Sequence, residues 1–95
     1  DMARASTTAD VFNAIAEPKR RAIIDALLGG RKSVNELCDE LRSPQPAMSK
    51  HLGVLRKVGI VSVTRVGQHR LYQLNAQALQ PIHEWVRTYE RFWTH

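Results

Sequence analysis

At Gly59 the spacing of apolar residues changes from the helical period to strict alternation, and no other feature narrows the possible folds as far. Upstream, Met48, Leu52 and Leu55 recur at helical spacing as an inward stripe that runs up to the glycine. Downstream, Val61, Val63 and Arg65 alternate with Ser62, Thr64 and Val66 until Gly67-Gln68 turns the chain into His69 to Leu74. That pattern reads as a β-hairpin following directly on a helix.

Punctuation elsewhere marks further helices. Thr8 is the expected cap of a first short helix carrying Val11, Phe12 and Ile15, which ends before Pro18 because the residue preceding a proline disfavours helical geometry. Pro18 opens a second helix whose apolar Ile23, Ile24, Leu27 and Leu28 recur at helical spacing, and Gly29-Gly30 stops it. Ser33 and Glu36 stand in capping-box relation ahead of Val34, Leu37, Cys38 and Leu41, a short one-sided third helix. Ser43 and Pro44 read as N-cap and first residue of the fourth. Asn75 begins a helical turn, and a terminal helix is expected from Gln80 or Pro81 to Trp93, since proline is poorly tolerated deep inside a helix. The fold class is mainly α with a β-hairpin wing, in the order α-α-α-α-β-β-α. Two helices joined by a short turn and followed by a hairpin is the order of a winged helix-turn-helix.

Ninety-five residues suit one domain, and the apolar surface such a chain can bury roughly balances its ordering entropy, so a partner surface is expected. A hydrophobic share of 43% with 24% charged residues is globular, and apolar runs no longer than Ala22 to Ile24 leave no transmembrane span and no secretory signal core. With a single cysteine, Cys38, no intrachain disulfide can form, and the cytoplasm is the expected location. Fourteen Lys and Arg against nine Asp and Glu give a net charge of +5, which favours a polyanionic partner. Charge alone does not separate a nucleic acid from a membrane surface.

The motifs narrow that choice. The stretch SPQPAMSKHLGVLRKVGIVSVTRVGQHRLYQL resembles the DNA-binding half of ArsR-family bacterial repressors, with their Q-P-x-x-S-[RK]-H-L recognition helix, L-[RK]-x-x-G-[IL]-V continuation and G-[RQ]-x-x-x-Y-x-L wing. AIAEPKRRAIIDALLGG is similar to that family's A-[DE]-P-x-R entry helix, and the resemblance covers roughly Val11 to Leu74. It implies a homodimeric repressor that binds a pseudo-palindromic site on double-stranded DNA. Gln45, Ser49, Lys50 and His51 match the recognition-helix positions, and Gly67, Gln68, His69, Arg70 and Tyr72 match the wing. Pro44 replaces the family's usual Ser before Gln45 and moves the expected cap back to Ser43.

The side chains support those roles on their own chemistry. Gln45 can read an adenine edge, and Ser49 or Lys50 can reach a base or a phosphate from the first half of a helix in the major groove, with Ala47 on the same segment. Arg56 and Lys57 lie further along and suit backbone phosphates, as do Arg65, Gln68, His69 and Arg70 on the hairpin, whose tip can also enter a minor groove. For any one Lys or Arg an ordinary solvated charge is an equal reading. His51 lies beside the apolar stripe, where it can serve the core as readily as a phosphate.

No metal, cofactor or catalytic site is expected. The Cys-x-Cys metal pair of the best-known ArsR relatives corresponds by resemblance to Ser33 and Asn35, and Cys38 on the inward face of its helix acts as a small hydrophobe. His83 and Glu84 are adjacent rather than a helical turn apart, and no nucleophile, phosphate loop or inward carboxylate pair can be assembled. The last helix is apolar across two faces, so one face has to be buried elsewhere, most simply against a second copy. The expected dimer interface is Val11, Phe12 and Ile15 with Leu79, Ile82, Val86, Tyr89, Phe92 and Trp93. One domain over 1–95 then divides into dimerisation segments 8–16 and 76–95, a helix-turn-helix at 33–58 and a wing at 60–74. Two other readings stand beside this: a winged-helix module that binds another protein, and a redox- or metal-responsive repressor using Cys38 or the histidines.

Overall fold

A computed structural model describes residues 10–94; the Thr8 cap and His95 lie outside the described residues. Helix α1 (Val11–Ile15) is capped by Asp10, whose Oδ1 accepts the Asn13 N–H at 2.7 Å. Its unpaired C-terminal carbonyls are taken up by two consecutive arginines: Arg20 Nε donates to Ala14 O at 2.6 Å, and Arg21 Nη1 donates to Ile15 O at 2.7 Å. Both arginines belong to α2 (Pro18–Ala26), which opens on Pro18 and buries Ile23 and Ile24. The chain then tightens into a 3₁₀ turn, Leu27–Gly29, and Gly30 leaves it at φ 128°. That tightening overturns one expectation, because residues advance by about 120° in a 3₁₀ turn: Leu27 stays buried while Leu28 swings out to 73% exposure.

A two-residue strand, β1 (Lys32–Ser33), comes next and was not anticipated, being too short to carry any alternation. Ser33 also caps α3 (Val34–Leu41) in a complete capping box: its Oγ accepts the Glu36 N–H at 3.1 Å, and its own N–H donates to Glu36 Oε1 at 2.8 Å. That backbone N–H holds the Glu36 carboxyl below its ordinary pKa. Arg42 ends the helix in the left-handed region at φ 52°.

The fourth helix, α4 (Gln45–Lys57), starts one residue later than expected. Pro44, not Ser43, is its N-cap, held extended at ψ 152° with no side-chain cap, and its carbonyl accepts the first helical bond from Met48 N–H at 3.0 Å. Met48, Leu52 and Leu55 are each at most 1% exposed and pack with Ile23, Leu27, Leu37, Ile60, Val61 and Tyr72 into one core cluster. Gly59 turns the chain at φ 84°, and Asn75 ties both sides of the hairpin base: its N–H donates to Ile60 O at 2.7 Å and its Nδ2 to Gly59 O at 3.0 Å.

Strands β2 (Val61–Val66) and β3 (His69–Leu74) pair antiparallel from Val61↔Leu74 to Val66↔His69, and β1 adds to the far edge of β3, giving the order β1-β3-β2. Gly67 takes φ 63° at the first turn position, as a two-residue hairpin loop of this hand requires. After a 3₁₀ turn (Ala76–Leu79), α5 runs only from Gln80 to Arg87 and not to Trp93. Thr88 N–H and Tyr89 N–H reach back only three residues, to Trp85 O and Val86 O, and a further 3₁₀ turn covers Glu90–Phe92. β-Branched and aromatic residues in sequence hold an α-helix poorly at an exposed terminus. Among the described residues no helix is long and apolar enough to cross a membrane.

Candidate nucleic-acid interface

Because the Met48, Leu52 and Leu55 stripe is anchored in the core, the opposite flank of α4 is fixed in orientation and faces outward. Gln45, Ser49, Lys50, Arg56 and Lys57 are all exposed on it, whereas Ala47 is half-buried. His51 is half-buried at the edge of the stripe, and its Nδ1 is shielded from solvent with no hydrogen-bond partner among the described residues. A cavity of about 100 Å³ adjoins it, lined by Lys19, Ile23, Ser43 and Met48 among others. Arg65, Gln68, His69 and Arg70 are exposed on the hairpin.

Gly53 sits in the middle of the exposed flank of α4. A glycine in a helix interior costs about 1 kcal/mol relative to alanine. A Cβ added at Gly53 would meet nothing within 4 Å among the described residues, so their packing does not account for the missing side chain. Open space at that point lets a partner approach the helix backbone closely.

Electrostatics set this half of the molecule apart. No Asp or Glu occurs between Glu40 and Glu84, yet the interval carries Arg42, Lys50, Arg56, Lys57, Arg65 and Arg70. Those six cations exceed the net charge of the whole chain, +5, so the rest of the protein carries −1. Arg42, exposed at the turn between α3 and α4, belongs to this set and was missed by motif reasoning; the acid-free interval is the signal that finds it.

The second exposed surface has the opposite chemistry. Phe12 of α1 meets Trp85 of α5 edge-to-face at 5.9 Å between ring centroids, and Trp85 meets Tyr89 at 5.5 Å. Trp85, Phe92 and Trp93 nevertheless remain more than half exposed, and Phe12 and Tyr89 only slightly less so. Val11, Ile15, Leu79, Ile82 and Val86 are half-buried alongside. Trp85, outside the expected interface set, links the two helices; its i,i+4 spacing from Tyr89 is the signal for it. A cleft of about 470 Å³ between α2 and α5 continues this apolar lining, with Arg21, Asp25 and His83 at its rim.

Positions that could bear on metal chemistry are otherwise engaged or scattered. Ser33 Oγ is committed to the capping box, Asn35 is exposed, and Cys38 is half-buried against the core. Glu84 accepts a hydrogen bond from Gln80 Nε2 at 3.4 Å. Among the described residues no three His, Cys, Asp or Glu side chains are grouped so as to hold an ion.

Comparison with known proteins gives this geometry a context. A family model described as bacterial regulatory protein, arsR family, matches residues 17–63. The transcriptional repressor SdpR of Bacillus subtilis (strain 168) is 35% identical over 77 residues, which cover 81% of this chain and 86% of that protein. The HTH-type transcriptional repressor SmtB of Mycobacterium tuberculosis is 40% identical over 65 residues, covering 68% of this chain and 48% of SmtB. A solved structure described as a possible transcriptional regulator for arsenical resistance superimposes with a TM-score of 0.69 at 32% identity, over 86% of this chain and 82% of that one.

Proposed function

The chain belongs to the ArsR family of bacterial transcriptional regulators, and from that premise we propose that it is a homodimeric repressor that reads a pseudo-palindromic operator and does not sense metals through thiolates. Regulators of this family bind DNA and are not enzymes. The observation that carries the reading for this chain is the acid-free interval: the exposed cations Lys50, Arg56 and Lys57 of α4 and Arg65 and Arg70 of the wing have no Asp or Glu in the sequence between them. A surface of that sign suits a phosphate backbone and repels a basic partner.

Within it, Gln45, Ser49 and Lys50 read base edges in the major groove, with Ala47 and His51 beside them. Arg56 and Lys57, with Arg65, Gln68, His69 and Arg70 of the wing, hold the backbone. The exposed Phe12, Trp85 and Tyr89 stack and its half-buried neighbours support a dimer built on segments 8–16 and 76–95, which would set two recognition helices about 34 Å apart, one helical turn of DNA. The helix-turn-helix at 33–58 and the wing at 60–74 complete a single domain that acts where the chromosome is, in the cytoplasm. Ser33 and Asn35 at the thiolate positions support a signal other than a metal bound by cysteines.

The test is a selection of genomic fragments by the purified protein, followed by substitution. Enriched fragments should share an inverted repeat. On that site Gln45→Ala should cost about 1–3 kcal/mol and relax preference at one position per half-site, whereas Arg56→Ala should weaken all sequences alike and reduce the salt slope by about 1. Equal losses on every sequence from both substitutions would contradict the division of roles.

A further inference from the structure

One face of the hairpin changes character along its length. Its core-facing row runs Val61↔Leu74, then Val63↔Tyr72, and then Arg65↔Arg70: two apolar cross-strand pairs followed by two arginines set directly opposite each other. The loop between the strands has two residues and closes on Val66↔His69, so the alternation of an antiparallel ladder gives Arg65 and Arg70 a non-hydrogen-bonded position. There paired Cα atoms lie about 4.5 Å apart and side chains approach most closely. Like charges so placed destabilise a sheet. Both arginines are exposed, and neither side chain makes a hydrogen bond or ion pair with a described residue; the ion pair found among those residues joins Glu40 to Lys32 of β1, which pairs with Leu71 and Tyr72 in the middle of β3. No carboxylate occurs in the sequence between them, and Glu36 of α3, which lies near His69, is engaged by the Ser33 N–H.

A guanidinium presents a planar fork of donors matched to phosphate oxygens, and two of them side by side offer more donors than one oxyanion needs. We propose that Arg65 and Arg70 form a single site, a cross-strand clamp for one phosphodiester group of the duplex, whose mutual repulsion in the free protein is relieved when the phosphate enters between them. The clamp rests on the DNA-binding reading above and goes beyond it: the two arginines act as one unit rather than as independent backbone contacts, and the outer half of the wing is stabilised by the DNA it grips.

A double-mutant cycle of R65Q, R70Q and the double variant in the full chain separates these cases, with titration of one labelled duplex at 0.15 M salt and thermal melting without DNA. Each single substitution should weaken duplex binding about tenfold, the size expected for loss of a charge-assisted hydrogen bond, and the double by no more than about 20-fold, because the second arginine has already lost its partner. Without DNA, either single variant should melt a few degrees above wild type at low salt, with no further gain in the double. That gain should vanish near 1 M salt, where the screening length is about 3 Å. A double variant weakened near the product of the singles, about 100-fold, overturns the clamp, as do single variants that bind like wild type or melt no higher than it. Wild-type protein that fails to bind any duplex overturns the regulatory reading itself and the clamp with it, so the two failures are distinguishable.

Discussion

Helices α4 and α5 are both amphipathic and both carry a proline at their second position, yet their apolar stripes meet opposite fates. The stripe of α4 is fully buried at Met48, Leu52 and Leu55, while α5 has no buried residue, and Trp85 is 56% exposed. What each helix leaves uncovered differs accordingly. On α4 it is polar and cationic and set beside an acid-free wing, a surface for a polyanion; on α5 it is aromatic, a surface that water does not favour and a second apolar face would cover. The flank a helix has left over thus indicates its partner's chemistry, provided the other flank is accounted for within the chain.

The largest expected effect lies in the buried stripe. Leu52→Ala should lower unfolding free energy by about 2–5 kcal/mol in chemical denaturation, since the site is closed on all sides; a loss below about 1 kcal/mol would erase the contrast between the helices. Next comes α5: Trp85→Ala should weaken self-association by about 2–4 kcal/mol, seen as a shift toward monomer in sedimentation velocity across a dilution series, with little change in monomer stability. If association is unchanged while stability drops, the indole serves only its own chain. Gly53→Ala sharpens the comparison further. It should stabilise the free protein by about 1 kcal/mol, a rise of about 4–8 °C in Tm, yet weaken duplex binding, because the added methyl meets none of the described residues and would stand between the helix and a duplex. Unchanged DNA affinity would mean that α4 does not approach a duplex there.

The smallest effect concerns the start of α3. The Glu36 carboxyl is held below its ordinary pKa by the Ser33 N–H, so the stability it contributes is present above the unfolded-state value of about 4.3 and is lost as pH falls through the lower folded value. Glu36→Gln keeps a capping partner without the charge. Wild type should therefore be the more stable at neutral pH, and the gap should narrow as pH falls below about 4.3 and close once the folded carboxyl is protonated; a gap that persists after that would assign the difference to packing.

Much of this architecture could be read from residue order because strong punctuation separates its elements. Pro18, Gly29-Gly30, the Ser33 and Glu36 pair, Gly59 and Gly67 each constrain the backbone locally, and α2, α3, α4 and the hairpin emerge where those residues demand. The departures fall where tertiary context decides. β1 exists because β3 offers an edge to two residues that carry no pattern of their own. Leu28 has the right spacing for a continuing α-helix, but the helix tightens just before it. α5 ends at Arg87, and beyond it Phe92 and Trp93 stay more than half exposed against the described residues. Of the candidate interface, the exposed cations Lys50, Arg56, Lys57, Arg65 and Arg70 stand out in motif and composition and Arg42 in composition alone, whereas the Arg65 and Arg70 pairing depends on strand register and the shielding of His51 Nδ1 on how α4 docks.

The most direct test of the contrast is the salt dependence of duplex binding, followed by fluorescence anisotropy of a labelled fragment from the genomic selection. If the flank of α4 and the wing meet the phosphate backbone as a cationic surface, binding at 50 mM salt should be tight and should weaken steeply by 200 mM, by roughly 10³-fold or more if six or more phosphates per dimer are neutralised. A protein that leaves the duplex untouched at 50 mM salt, or binds it with an affinity indifferent to salt, would contradict the assignment.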